Sequence, residues 1–161
     1  MSIFEAYLVF ETQRLLDLLS PMDTPSSSMR DLARRLLAAT QTAAVPHVHE
    51  AVLVSDKLRI SLTRFAGVDG FTSLQRRALV LARAEVPSLQ SVKVGADGRL
   101  EDFEQLAADT GTDAAAAAAA ITAHLLGLLV TFIGKPLTLT LVHEAWPDIS
   151  LDKSHSTREI A

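Results

Sequence analysis

The sequence predicts an all-α single domain, a bundle of about six helices packed around one long helix at Asp113–Ile133. Two observations support this fold class. Hydrophobic residues make up 48% of the chain but aromatic residues only 5%, so the interior must be built from Leu, Ala and Val, which suits close-packed helices. In addition, no charged residue occurs between Asp113 and Lys135, as expected of a helix that is covered on every side.

The uncharged run is also long enough to cross a bilayer, since a membrane-spanning helix needs about 20 residues. Its composition favours the enclosed helix. Alanine is nearly neutral towards membrane insertion, and His124 and Gly127 are unfavourable at the bilayer centre, so only residues 125–133 are strongly apolar. A protein that associates with a membrane through residues 114–133 is kept as an alternative.

The first two predicted helices are amphipathic. In residues 2–19, we expect the core to be contacted by an apolar stripe of Phe4, Leu8, Leu15 and Leu19, with Tyr7 and Leu18 beside it. A loop with two prolines follows at residues 20–28, and Ser28 with Asp31 resembles a capping box that starts a helix over residues 29–41.

Three further helices are predicted over residues 46–66, 71–86 and 101–108. The first begins near Pro46, and its apolar face continues to Phe65 and Ala66. The Gly-Val-Asp-Gly sequence at 67–70 predicts a break in the chain, and Pro87 ends the second of these helices.

Two segments near the end of the domain are ambiguous in secondary structure. Residues 89–100 predict a small extended element that enters a turn at Asp97 and Gly98. Residues 137–142 alternate Leu and Thr with strand period, but Pro136 behind Gly134 favours a helix there. The choice between strand and helix stays open for residues 89–94 and 137–142. The helical domain is assigned to residues 1–147 and a polar, loose tail to residues 148–161.

Charge and cysteine content limit the partners and the compartment. A net charge of −4 makes binding to nucleic acid or to an anionic membrane surface unlikely to be the function, because such binding depends on neutralising phosphates. The absence of cysteine and of a basic start to the chain predicts a cytoplasmic protein without a signal peptide. We expect neither nucleic acid nor a membrane as partner.

Four residues could ligate a metal ion such as zinc, which accepts imidazole and carboxylate ligands. They are His47, His49 and Glu50 at the start of the third predicted helix, with His143 far along the chain. Residues two apart point to different sides of a helix, so this set needs His47 in the preceding loop. It predicts a metal-dependent enzyme or a metal sensor as an alternative function.

Arginines on two predicted helices form a second candidate site. Arg34 on one helix and Arg76 with Arg77 on another would make an anion-binding face if they meet in space. Two separate solvated faces are the simpler interpretation.

The alanine run at 114–120 predicts a close contact between helices, because small side chains let two backbones approach. The neighbour is either a helix of the same fold or the same helix of a second subunit. The residues expected to take part in this contact are Ala117, Ile121, His124, Leu125, Leu128 and Phe132.

The sequence contains neither of two common catalytic motifs, the phosphate-binding loop and the nucleophile elbow. The sequence therefore favours a non-catalytic helical interaction or regulatory module that self-associates or binds a protein partner. No cofactor is expected for such a module.

Overall fold

The structure, a computed structural model, describes residues 3, 5–9, 11, 24–40, 47–103, 105–106 and 113–149, without the side chains at 47–49 and 113. The all-α class is confirmed for this part of the chain. Residues 3, 5–9, 11, 103 and 105–106 are also helical, and much of the predicted helices 2–19 and 101–108 lies outside the described residues. The main helices are α1 (Ser27–Thr40), α2 (His47–Glu85), α3 (Asp113–Ile133) and α4 (Lys135–Ala145).

The short segment between α2 and α3 contains the predicted extended element. A 3₁₀ turn at Pro87–Ser91 leads into β1 (Lys93–Val94), which pairs antiparallel with β2 (Leu100–Glu101). Gly98 turns the chain with φ 85°, and a Cβ there would lie 2.7 Å from the Phe71 ring. The ribbon is therefore packed directly on α2, which a two-stranded sheet needs for stability.

Helix α1 begins two residues earlier than the capping box predicts. The Ser26 hydroxyl accepts a hydrogen bond from the Met29 amide at 3.3 Å, so Ser26 rather than Ser28 caps the free amides of the first turn. The predicted inward face is confirmed by buried side chains at Met29, Leu32, Ala33, Leu36 and Leu37.

Helix α2 bends at a single residue. The predicted break at residues 67–70 is therefore too long, because residues 68–70 are helical. Gly67 alone has non-helical angles, φ 76° and ψ 169°, a conformation that is open to glycine and strained for other residues. The bend is sharp, because Asp56 lies 3.7 Å from Arg99 while Phe71 packs on the adjacent Gly98. The chain on either side of Gly67 thus returns to the same ribbon.

Helix α3 is enclosed along its middle. All seven residues from 120 to 126 are buried, so every side of the helix is covered for nearly two turns. Its ends differ, since Ala115 and Ala116 at the start and Thr131 and Phe132 near the end are exposed. The helix is long and apolar enough to span a membrane by length and composition alone.

Helix α3 runs antiparallel to α1. Pro25, just before α1, lies against Gly127, where an added Cβ would be 3.4 Å from the Pro25 Cα. Leu37, near the other end of α1, lines the same cavity as Ala115 and Ala119 at the start of α3.

The start of α2 lies beside the start of α3. Glu50 lines the same cavity as Ala115 and Ala119, and Leu62 is still buried in the core three turns later.

Gly134 forms a helix corner like that at Gly67, a single glycine with positive φ between two helices. Its angles are φ 87° and ψ 156°, and it joins α3 to α4 without any further residue. This confirms the predicted helix stop, and the helical α4 decides the ambiguity over residues 137–142 in favour of helix. The corners are 67 positions apart (134 minus 67), and at this offset six positions are buried in both of the preceding helices: Glu50 and Ala117, Ala51 and Ala118, Val54 and Ile121, Ser55 and Thr122, Leu58 and Leu125, Leu62 and Leu129.

Four residues predicted to face the core are exposed. Tyr7 and Leu8 in the N-terminal helical segment are 60% and 50% exposed. Phe65 and Ala66 lie on the same side of the helix as the buried residues. They are exposed because the last buried residue before the corner is Leu62, so the core does not extend as far as these two residues. Of the predicted loose tail, residues 148 and 149 complete a turn in which the Ile149 amide donates to the Trp146 carbonyl at 3.2 Å, and residues 150–161 lie outside the described part.

Candidate functional site

A polar network joins three helices at the middle of α3. Arg30 of α1 donates two hydrogen bonds to the carboxylate of Glu85 at the end of α2, with an Nη1 to Oε2 distance of 3.1 Å. His124 Nε2 lies 2.9 Å from Oε1 of the same carboxylate. The His124 side chain is only 4% exposed, whereas Glu85 and Arg30 are about a third exposed.

Charge and hydrogen bonding in this network favour the ionised carboxylate. The Arg30 guanidinium, through its hydrogen bonds, and then His124 lower the pKa of Glu85, while partial burial opposes them. The same contact raises the pKa of Arg30. The network therefore carries a stable carboxylate at neutral pH, held between a permanent cation and an imidazole.

A histidine oriented by a carboxylate is also the arrangement of a proton-transfer pair. The burial of His124 argues against that use here, because a substrate would have to reach an imidazole enclosed by α3 and its neighbours. The contact ties the central helix to α1 and α2, and its role is best described as structural.

A second feature is an open cavity of about 420 Å³ between α1, α2 and the start of α3. Glu50, which is 6% exposed, and the exposed Arg34 provide its charged groups. The rest of the wall is apolar, formed by Leu37, Ala38, Ala115, Ala116, Ala118 and Ala119.

The predicted metal ligands do not form a site among the described side chains. Glu50 is buried in the cavity wall, and His143 is exposed on α4. The side chains of His47 and His49 lie outside the described residues. Within the part of the chain whose side chains are described, no group of three His, Cys, Asp or Glu side chains could hold a metal ion.

The three predicted anion-binding arginines are all exposed, and of the three only Arg34 lines the cavity. Arg34 faces the cavity and lies 3.3 Å from Asp31 on its own helix. Arg76 and Arg77 are exposed on α2 and are not among the residues that line this cavity. Of the other arginines, Arg83 donates to the carbonyls of Leu89 and Val92, so it holds the 3₁₀ turn.

The predicted contact residues of α3 fall into two groups. Phe132 is 68% exposed and points out of the fold. The other residues are buried within this chain, which is the first of the two neighbours that the alanine run predicts: Ala117, Ile121, His124, Leu125 and Leu128.

Phe132 belongs to a surface that the sequence did not predict. Phe65 and Val68 lie beside Gly67 and are 59% and 43% exposed, as Phe132 lies beside Gly134. We use the term corner surface for the exposed apolar side chains next to the two corner glycines, namely Phe65, Val68 and Phe132. The sequence did contain a signal for these exposed residues, because a phenylalanine stands two residues before each corner glycine. Only the structure shows that both glycines form corners.

No protein-family model matches the chain, and neither a curated protein nor a solved structure is significantly similar to it. The functional argument therefore depends on the residues and their geometry alone.

Proposed function

We propose that the protein is a non-catalytic helical interaction module and that it self-associates. The observation that carries this proposal is the corner surface: two large aromatic side chains and a valine next to the corner glycines are 59%, 68% and 43% exposed. Apolar groups of this size gain about 1.5–3 kcal/mol each when they are fully buried, and clustered exposed apolar residues are typical of interaction sites.

The corner surface also carries charges of both signs. Arg64 and Asp69 flank the Gly67 corner, and Lys135 follows Gly134; all three are exposed. A surface that pairs with its own copy must be self-complementary, and mixed charges around an apolar centre meet this requirement. This supports a second copy of the chain as the partner.

The burial of α3 supports a soluble module more than insertion of residues 114–133 into a membrane. Its middle is covered by side chains of the same chain, and exposing it to lipid would require α1 and α2 to leave. The polar contact from His124 to Glu85 would be lost in the same step.

The test is the mass in solution, measured by sedimentation equilibrium over a range of protein concentrations. We expect a dimer that dissociates on dilution, and we expect Phe65→Ser with Phe132→Ser to weaken it by more than about tenfold, since aromatic residues at the centre of an interface commonly contribute above 1 kcal/mol.

The matched control is Ile60→Ser with Val80→Ser, which removes two exposed apolar side chains from other parts of α2. This pair should leave the association unchanged. A wild-type protein that stays monomeric at every concentration would refute the proposal.

A further inference from the structure

The open cavity between α1, α2 and the start of α3 has the size and the lining of a small-molecule site. Its volume of about 420 Å³ lies within the range of about 300–1,000 Å³ that is usual for such sites. Six of its eight lining residues are Leu or Ala, and only two are charged. A mostly apolar wall with a few polar groups is the common composition of a pocket that orients a small ligand.

The two charged residues of the cavity have opposite signs. Glu50 is 6% exposed, whereas Arg34 is exposed, so the acid belongs to the buried part of the wall and the base to its exposed part. The formal charges of the lining sum to zero. A small ligand that is complementary to both residues therefore carries one positive group and one negative group.

Both charged side chains can take a further partner. Arg34 Nη1 lies 3.3 Å from Asp31 Oδ1, and both of these side chains are mainly exposed. Such surface pairs contribute little to stability, so the guanidinium can turn to a ligand carboxylate. Glu50 already takes part in an interaction within the chain, but its two oxygens offer about four acceptor positions, so a ligand ammonium can be added to that interaction.

We propose that the cavity binds a free amino acid with an apolar side chain. The ligand ammonium donates to Glu50, and the ligand carboxylate accepts from the guanidinium of Arg34. The ligand side chain contacts the apolar wall, which includes Leu37 and Ala119. Because the cavity lies where three helices meet, the bound ligand also stabilises their packing. This site is separate from the proposed self-association and does not depend on it.

Isothermal titration calorimetry of the full chain tests the class of ligand. The probes are L-leucine and two analogues that each lack one charged group: isopentylamine has no carboxylate, and 4-methylpentanoate has no ammonium. Leucine represents the class, because the Leu and Ala wall offers no polar group that would select among apolar side chains. We expect L-leucine to bind, and each analogue to bind about tenfold more weakly, since each loses a charge-assisted hydrogen bond.

Charge variants assign each end of the ligand to its residue. Arg34→Gln should weaken L-leucine binding by about tenfold and should make L-leucine and isopentylamine bind equally, because the carboxylate has lost its partner. Glu50→Gln should in the same way remove the preference for L-leucine over 4-methylpentanoate. A variant that only loosened the fold would weaken all three probes alike. Arg76→Gln, at an exposed arginine outside the cavity lining, is the control and should change nothing.

A size variant tests the cavity itself. Ala116 is exposed and lines the cavity, so Ala116→Leu should narrow it and reduce L-leucine binding by more than about tenfold without a loss of helical content in circular dichroism. Ala84→Leu makes the same change at an exposed position of α2 outside the cavity lining and should leave binding intact.

Three results would overturn the inference. The first is a chain that does not bind L-leucine. The second is equal binding of L-leucine and isopentylamine by the wild type, which would show that no carboxylate is recognised. The third is binding that survives both Arg34→Gln and Ala116→Leu, which would place the ligand elsewhere. The mass in solution is measured without ligand, so none of these results bears on the proposed self-association.

Discussion

The first part of α2 and helix α3 share six buried positions counted back from their corner glycines, yet one helix lies at the edge of the fold and the other inside it. Their opposite faces explain the difference. At the 67-residue offset, Leu53, Lys57, Ile60 and Arg64 of α2 correspond to Ala120, His124, Gly127 and Thr131 of α3.

Three of the four outer positions of α3 carry small residues, whereas all four corresponding residues of α2 are long. Gly127 lets Pro25 approach within contact distance of its backbone, whereas the corresponding Ile60 is 62% exposed. The comparison teaches that an apolar face places a helix against the core. Whether further helices can also pack on its opposite face depends on the size of the side chains there.

The largest expected effect tests whether the shared face is equally important in both helices. Leu58→Ala and Leu125→Ala remove fully buried side chains at corresponding positions, so each should lower the free energy of unfolding by about 2–5 kcal/mol. Urea denaturation followed by circular dichroism measures this. Leu53→Ala, at a 40% exposed position, is the control and should cost far less. If Leu58→Ala lowered the free energy of unfolding only slightly, the buried faces of the two helices would not be equally important.

A smaller effect tests the difference between the outer faces. Gly127→Leu should reduce stability by about 1–3 kcal/mol, because the added side chain must displace Pro25 and the start of α1. Ile60→Leu at the corresponding position should stay within about 0.5 kcal/mol, as surface changes usually do. Equal melting temperatures for these two variants would show that α1 does not pack closely on α3.

The smallest effect concerns the polar network of Arg30, Glu85 and His124, which joins α1, α2 and α3. Glu85 has its pKa lowered from the usual 4.5 in the folded protein, so the unfolded chain takes up the proton first. The stabilisation is therefore present above about pH 4.5 and is lost as the pH falls through the lowered folded value. It should be below about 1 kcal/mol, since the carboxylate is partly exposed.

Urea denaturation of Glu85→Gln at several pH values measures this contribution. The variant should lack this part of the acid sensitivity, so the stability difference from wild type should shrink below pH 4.5. Glu144→Gln removes the same charge from an exposed site on α4 outside the network. A stability difference for Glu85→Gln that does not change with pH would contradict the role assigned to the carboxylate.

The sequence predicted the elements that local signals determine. Asp113 and Gly134 mark the ends of the uncharged helix, and Asp97 with Gly98 marks the ribbon turn, because caps and turns depend on neighbouring residues. It did not predict the contact of His124 with Glu85, which are 39 residues apart. The residues around each of them in the sequence carry no signal for a contact over that distance.

The corner surface shows why periodicity alone was insufficient. Helical phase places Phe65 on the core side correctly, but phase does not say how far the core extends along the helix. The equivalence of the two corners was also hidden, because the paired positions share burial rather than identity, as with Ser55 and Thr122.

Each corner consists of a single glycine, and this restricts how the chain can change in length. One residue inserted before Gly134 would rotate everything that follows by about 100° and advance it by about 1.5 Å. Helix α4 would then present a different side to α2 and α3. Natural variants of this chain should therefore differ in length at the ribbon turn, and should keep a constant number of residues between Leu129 and Thr138.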